Sequence, residues 1–279
     1  MVIKRSTLLW VTGASSGIGE ALAKALAREG AGVILSGRRV SELQRVASET
    51  DGKTLVLPFD VAGHATLPEV VSTAWNWVGA VDVLINNAGG SQSSLALQTH
   101  LDVYRQLIEV NYLAPMQLTQ LLLPRMIDQG GGHVAVLSAV AGKVGTPLQS
   151  GYSAAKHAVI GYFDALRAEV EAAYGIKVSV ILPGSVATAE GGNALTSDGS
   201  PHGNVGYKIE GGMAVEIAAE AMIRGLSEAR REIRVAEGIE LKALSLRTED
   251  PEFLFAMLAQ EGKVSHSLRL SVASAIIVP

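Results

Sequence analysis

The chain contains no cysteine, which excludes disulfides, thiolate metal sites and a cysteine nucleophile. It has no apolar run near the roughly 20 residues that a membrane-spanning helix needs. Positive charge is not in excess: 23 lysines and arginines stand against 27 aspartates and glutamates, a net charge of −4. That balance leaves no electrostatic footprint for nucleic acid. No internal repeat, linker or low-complexity block divides the sequence. Met1-Val2-Ile3-Lys4-Arg5 leads straight into the first apolar run, which predicts no signal peptide. What is present is 279 residues with 48% hydrophobic content, enough for one substantial core and near the upper end for one domain. A soluble, cytoplasmic protein is expected.

The organising stretch runs from Leu8 to Ala31. The apolar run Leu8-Leu9-Trp10-Val11 has the length and character of a strand buried on both faces. Behind it stands Thr12-Gly13-Ala14-Ser15-Ser16-Gly17-Ile18-Gly19, followed by a helical pattern with Ile18, Leu22, Ala25 and Leu26 on one side. Strand, glycine turn and helix together present backbone N–H groups and a positive helix end to a phosphate. Gly13 suits the tight turn, Gly17 a close approach of pyrophosphate to the backbone, and Gly19 close packing of helix on sheet.

The second strand, Gly32 to Ser36, ends at Gly37-Arg38-Arg39. An acidic side chain there would bind the adenosine ribose and repel a 2′-phosphate; here two guanidiniums follow instead, and their planar forks suit phosphate. NADP(H) rather than NAD(H) is therefore the expected cofactor. Ser41 reads as the N-cap of the next helix. Further strands are predicted at 54–59, 81–85, 133–138, 176–182 and 232–235. Helices are predicted between them, at about 67–78, 101–126, 152–174 and 214–228, with another around 240–246. Trp75 and Trp77 read as packing residues. Pro115 inside the long helix predicts a kink or break one turn after Asn111. Alternating strand and helix give an α/β fold with a single doubly wound parallel sheet of about seven strands, helices on both faces. Residues 1–279 form one dinucleotide-binding domain in this reading. It carries a mobile substrate lid at 189–212 and a C-terminal extension at 238–279. The apolar stretch 251–258 predicts burial against a partner subunit or the lid, and residues 265–279 carry no clear pattern.

Tyr152 and Lys156 stand four apart in a helical stretch, so both side chains lie on one face. A free tyrosine has a pKa near 10, too high for ready proton exchange at neutral pH. An ammonium about 5 Å away, at an effective dielectric of about 20, favours the phenolate by roughly 3 kcal/mol. That is about two units, enough to bring the phenol near 7–8. Tyr152 would then protonate a carbonyl oxygen as hydride arrives on its carbon, or take the proton in reverse.

Thr12-Gly-x-x-x-Gly-x-Gly19, Asp60, Asn86-Asn87-Ala88-Gly89, Asn111, Tyr152-x-x-x-Lys156 and Pro183-Gly184-x-x-x-Thr188, in this order, resemble the classical short-chain dehydrogenases/reductases. The resemblance spans about residues 6 to 190, and Ser138 to Lys143 with Lys156-His157-Ala158 resemble the steroid- and retinol-type reductases. It implies a hydride-transferring oxidoreductase that interconverts a ketone or aldehyde with an alcohol. It implies cofactor contacts from the turn Gly13, Ser15, Ser16, Gly17, Ile18 and Gly19, from Arg38 and Arg39, and from Asp60 and Val61 at the adenine. Asn87, Ala88 and Gly89 would line the riboses, and Pro183, Gly184, Val186 and Thr188 would flank the nicotinamide. Lys156 would hold the nicotinamide ribose as well as tuning Tyr152, and Asn111 would position a proton-relaying water. It also implies a homo-oligomer, a dimer or tetramer, acting on a small molecule, with no metal.

One position departs from the family pattern. The serine that hydrogen-bonds the reacting carbonyl usually precedes the tyrosine by thirteen positions. Here that position is Ala139, with Ser138 one earlier, and a one-residue offset on a strand reverses the face. A bulge would return Ser138 to the site as the catalytic donor, Ser185 would substitute for it, or one donor is missing. Two alternatives stand beside the reductase reading: a nucleotide-binding sensor or scaffold with little turnover, which Ala139 favours, and a 3-oxoacyl-carrier reductase, for which Lys208 in the lid is thin support. His202 in the lid reads as a solvated loop residue.

Overall fold

The computed structural model describes residues 7–188, 193–203 and 212–275. Seven strands form one parallel sheet: β1 (Leu8–Thr12), β2 (Gly32–Ser36), β3 (Thr54–Val56), β4 (Val83–Asn86), β5 (Gly132–Leu137), β6 (Ile176–Pro183) and β9 (Glu232–Val235). Their spatial order is β3-β2-β1-β4-β5-β6-β9. The winding reverses between β1 and β4, and the crevice at the carboxyl ends of these two strands is where such sheets bind ligands. Two short strands, β7 (Val186–Ala187) and β8 (Met213–Ala214), pair separately.

Strand alternation divides the interior into two cores. Trp10, Ile34, Leu84, Val134 and Val178 face α3 (Leu67–Asn76), α5 (Ala114–Asp128) and α6 (Ser150–Tyr174). Leu9, Val11, Val33, Ile85 and Ile181 face α1 (Gly17–Arg28), α2 (Val40–Ser48) and α7 (Val215–Ser227). Adjacent residues of one strand therefore serve opposite layers, as the pleat requires. Every residue of β1 is buried, as its unbroken apolar run predicted. Trp75 and Trp77 pack half-buried against the first core.

Several local expectations are corrected. Ser41 does not cap α2: the helix begins at Val40 with Arg39 as its extended N-cap residue, so Ser41 already lies inside the first turn. The regular part of β3 stops at Val56, although Leu57 and Phe59 still donate to Leu35 and Gly37. The long helix is interrupted at Asn111 itself. Here α4 (Leu101–Ile108) runs into a π-turn over Glu109–Leu113, and α5 resumes with Pro115 in its first turn. Pro115 supplies no N–H to continue the regular ladder, and the wider π-turn directly before it accommodates that loss. At the C-terminal end, α8 (Gly238–Glu249) is followed by α9 (Pro251–Ala275), a helix the sequence pattern did not reveal. Leu254 is buried on Val140, Val144, Ala243 and Leu244 of the same chain. Phe253 and Phe255 remain exposed. Of the lid segment, residues 189–192 and 204–211, including Lys208, lie outside the described residues. The part between them is held to the domain by pairing of Leu195 with Gln92.

Candidate active site

The crevice is built from the glycine turn. Gly13 and Gly17 take φ values of +67° and +55°, the left-handed region that only glycine enters without strain. A Cβ at Gly19 would lie 2.2 Å from the Gly13 carbonyl oxygen and 2.5 Å from Asn87 Nδ2, so its bareness is required by the turn and Asn87. Ser16 is the extended N-cap residue of α1, and its side chain does not cap the helix. Ser15 is buried, and Ile18 is half-buried. The helix end thus faces the crevice with its first-turn N–H groups directed at an anion.

The two walls of the crevice are tied by Thr12. Its Oγ1 accepts the N–H groups of Asn87 and Ala88, each at 3.0 Å. Asn87 Nδ2 returns bonds to the carbonyls of Thr12 at 2.9 Å and Gly13 at 3.2 Å. Asn86 points the other way, donating to buried Thr119 Oγ1 at 3.1 Å. At the end of β2, Arg39 Nη2 donates to Ser15 Oγ at 3.0 Å and to Ser16 Oγ, while Arg38 is exposed. Asp60 is exposed and accepts from the Ala62 N–H at 3.0 Å, and Val61 packs against the core beside it. A bare glycine turn, an uncapped helix end and a guanidinium lying over two serines fit a dinucleotide with its phosphates.

The first two turns of α6 carry Tyr152, half-buried, and Lys156, 4% exposed. Lys156 Nζ lies 5.6 Å from the centroid of the Tyr152 ring and donates to the Leu137 carbonyl at 2.7 Å. Gly89 is wedged between Asn111 and this ammonium: a Cβ there would sit 2.7 Å from Asn111 Oδ1 and 3.5 Å from Lys156 Nζ. The π-turn brings Asn111 into this position. Its Nδ2 donates to the carbonyls of Gly90 and Leu107, at 3.0 and 2.9 Å, and its Oδ1 accepts the Gly90 N–H at 3.2 Å. Asn111 therefore holds the Gly89-Gly90 loop against Lys156.

The electrostatics differ from the sequence expectation. Burial pushes the Tyr152 phenol up to about 12 and the Lys156 amine down to about 7. The Lys156 nitrogen stands 5.6 Å from the ring centroid, but desolvation penalises the charged form of both groups. The pair is thus held toward neutrality, not toward the phenolate–ammonium state that would bring the phenol near 7–8.

The Ser138 expectation is also corrected. The β5–β6 register runs without a bulge from Gly132 to Leu137, and the Ser138 N–H continues it by donating to Ile181 at 2.8 Å. Ser138 is 2% exposed, and its Oγ donates to the Lys156 carbonyl at 2.8 Å inside the packing of β5 against α6. Ala139, extended at φ −165°, opens the 3₁₀ turn over Val140–Gly142. Ser185 is not a substitute, because its N–H and Oγ both bond the Glu240 carboxylate, at 2.9 and 2.8 Å. That carboxylate reaches over from α8 against Gly184, where a Cβ would lie 2.0 Å from Glu240 Oε2. Pro183 and Val186 are buried and Thr188 is half-buried at this end of β6. Two residues missed in the sequence emerge here: Glu240, and Gln92, whose carboxamide meets the start of α6.

Residues 7–197 match the profile of the short chain dehydrogenases. The chain belongs to this family. A curated relative, dehydrogenase/reductase SDR family member 7B of Mus musculus, is 35% identical over 266 residues, covering 93% of this chain and 82% of the relative. A short chain dehydrogenase from Burkholderia cenocepacia, solved in complex with NADP, superposes with a TM-score of 0.76 at 24% identity, over 92% of this chain and 99% of that one. Another from Burkholderia phymatum, in complex with NAD, gives 0.79 at 22%, over 91% and 96%. The short-chain dehydrogenase fold thus accommodates either nucleotide, and the family's members are oxidoreductases acting on small molecules. Among the described residues no group of three or more histidine or acidic side chains is placed to hold a metal ion. None of the described helices is long and apolar enough to cross a membrane.

Proposed function

We propose that this short-chain dehydrogenase is an NADP(H)-dependent carbonyl reductase interconverting a ketone or aldehyde with its alcohol, Tyr152 acting as general acid. The observation that carries the reading is the Tyr152–Lys156 pair, one helical turn apart and beside Gly89 at the mouth of the crevice. Tyr152, pushed up to about 12 by burial, holds its proton at neutral pH, while that same burial opposes the ready transfer a value nearer 7 would allow. The nicotinamide cofactor supplies the hydride when bound. Lys156, held by the Leu137 carbonyl, faces the ribose end of the site and replaces the phenol's proton. Gly184, Val186 and Thr188 fix the nicotinamide end, with Glu240 bracing the loop. Arg39 across Ser15 and Ser16, together with exposed Arg38, supports NADP(H), because charge-assisted bonds to a 2′-phosphate have no counterpart with NAD(H).

The engaged hydroxyl of Ser138 and the methyl of Ala139 favour a second reading, a nucleotide-binding protein with little turnover. A fluorescence titration with NADPH and NADH, followed by a screen of ketones, aldehydes and alcohols, separates the two. Tighter NADPH binding with carbonyl-dependent NADPH oxidation is expected. Tyr152→Phe should retain NADPH binding and lose on the order of 10²–10⁴ in turnover. Tight NADPH binding with no turnover on any carbonyl selects the second reading, and full activity in Tyr152→Phe refutes the first.

A further inference from the structure

The first turn of α6 carries Tyr152 but lacks a cap of its own. Its N-cap residue, Gln149, makes no capping bond, and its Oε1 instead accepts from Thr146 Oγ1 at 2.8 Å. Helix starts leave N–H groups without helical partners, and buried ones must find acceptors. Here the acceptor comes from 59 residues away. Gln92, in the loop after β4 and 1% exposed, places Oε1 2.7 Å from the Gly151 N–H and 3.2 Å from the Tyr152 N–H. Its Nε2 donates to Ser94 Oγ at 3.0 Å and Thr99 Oγ1 at 3.2 Å. Those hydroxyls are 2.8 Å apart, and Thr99 Oγ1 donates on to the Leu95 carbonyl. Every hydrogen-bonding group of the carboxamide is used, so its orientation is set. Gly151 keeps room for it, since a Cβ there would lie 3.1 Å from Gln92 Oε1.

The backbone on either side of Gln92 is stitched to the described part of the lid. The Leu195 N–H donates to the Ser91 carbonyl, and the Ser93 N–H donates to the Leu195 carbonyl, both at 2.9 Å, bracketing Gln92. The buried Gln92 side chain thus joins the β4 loop to the turn bearing the phenol, while the backbone on either side of it pairs with the lid base.

We propose that Gln92 is a positioning residue: its carboxamide oxygen caps α6 from a distant loop and sets the placement of Tyr152. The inference rests on the reading of Tyr152 as the proton donor, and its test has one readout that does not. Gln92→Leu removes the acceptor and leaves both N–H groups facing an apolar side chain. Amide exchange at Gly151 and Tyr152 should then accelerate by at least tenfold, with the rest of α6 unchanged. Carbonyl reduction should lose about 10- to 100-fold in kcat, as a misplaced reacting group does, while the Kd for NADPH stays within about twofold. Gln92→Glu keeps an acceptor and should restore amide protection and the fold. Recovery of kcat in this conservative variant, alongside that protection, is a rescue that a merely space-filling role does not produce. Unchanged amide protection in Gln92→Leu overturns the capping. A Gln92→Glu enzyme with kcat as low as that of Gln92→Leu, or a Gln92→Leu enzyme with the parent kcat, overturns the positioning role. Should Tyr152→Phe prove fully active, the reading of the donor fails, while the exchange result still decides whether Gln92 holds the helix.

Discussion

The two neighbours at the end of β5 make opposite predictions, and substituting them as a pair tests the site directly. Ser138 buries its hydroxyl against the Lys156 carbonyl at 2.8 Å, a group that retains its helical partner when the serine is removed. Ser138→Ala should therefore cost about 0.5–1.5 kcal/mol, the net worth of one neutral hydrogen bond. In a chain of this size that corresponds to roughly 2–4 °C in Tm per kcal/mol. Turnover should stay within about twofold of the parent. Ala139 has an extended backbone, φ −165° and ψ 170°, that serine adopts without strain. Its Cβ is directed away from the face that Ser138 uses. Ala139→Ser should then add a donor at the reacting carbonyl. Since removing one such donor from an enzyme typically costs ~10²–10³ in rate, the gain should reach at least about tenfold for a plain ketone. It should be smaller for an aldehyde, whose carbon is already more electrophilic. The assay is carbonyl-dependent loss of NADPH absorbance, with thermal melts of each variant run alongside. Collapse of turnover in Ser138→Ala would show that this hydroxyl leaves the Lys156 carbonyl for the substrate, and the assignment would be wrong. No gain in Ala139→Ser with any carbonyl would refute the claim that a donor is missing.

Two further outcomes follow from the geometry. Burial holds the Lys156 amine at about 7 against 10.5 in the unfolded chain. Between those values the unfolded state binds the extra proton, so stability should rise with pH across that window, by on the order of 4 kcal/mol. The folded Tyr152 phenol, at about 12, stays neutral across this window, and it opposes the rise only at the top, where the unfolded phenol ionises from its value of 10.0. Lys156→Met carries no proton in either state, so urea unfolding of this variant from neutral pH to about pH 10 should show a flatter rise; an equal slope in both proteins would refute the buried-amine argument. Arg39→Ala removes the guanidinium from Ser15 and Ser16, and the preference for NADPH over NADH should fall by about 10-fold or more, the worth of a charge-assisted bond. An unchanged preference in paired fluorescence titrations would remove the role given to that arginine.

Much of the fold was legible because its signals are local and periodic. The apolar run at Leu8, the glycine turn and the following helix are specified within about 24 residues of chain, and the pleat sends alternate residues such as Leu9 and Trp10 to opposite cores. Where a feature depended on solvent or on a partner far along the chain, the pattern was silent or misleading. Pro115 drew attention to a helix break, yet the irregularity is the π-turn at Asn111, one turn before it. The C-terminal helix α9 has no clean apolar stripe, and its described residues pack through Leu254, Met257 and Leu258.

The sequence by itself determined the order of strands and helices, the bare turn that meets a phosphate, and a tyrosine and lysine sharing one helix face. These follow from backbone sterics and side-chain period, which act over a few residues. Only the tertiary structure decided that Ser138 turns to the Lys156 carbonyl, that Glu240 claims Ser185, and that Gln92 caps the helix of Tyr152. It also decided that desolvation outweighs the neighbouring amine at the phenol. Hydrogen-bond partners 18 to 60 positions apart and the loss of water around a group are set by packing, which no local spacing encodes.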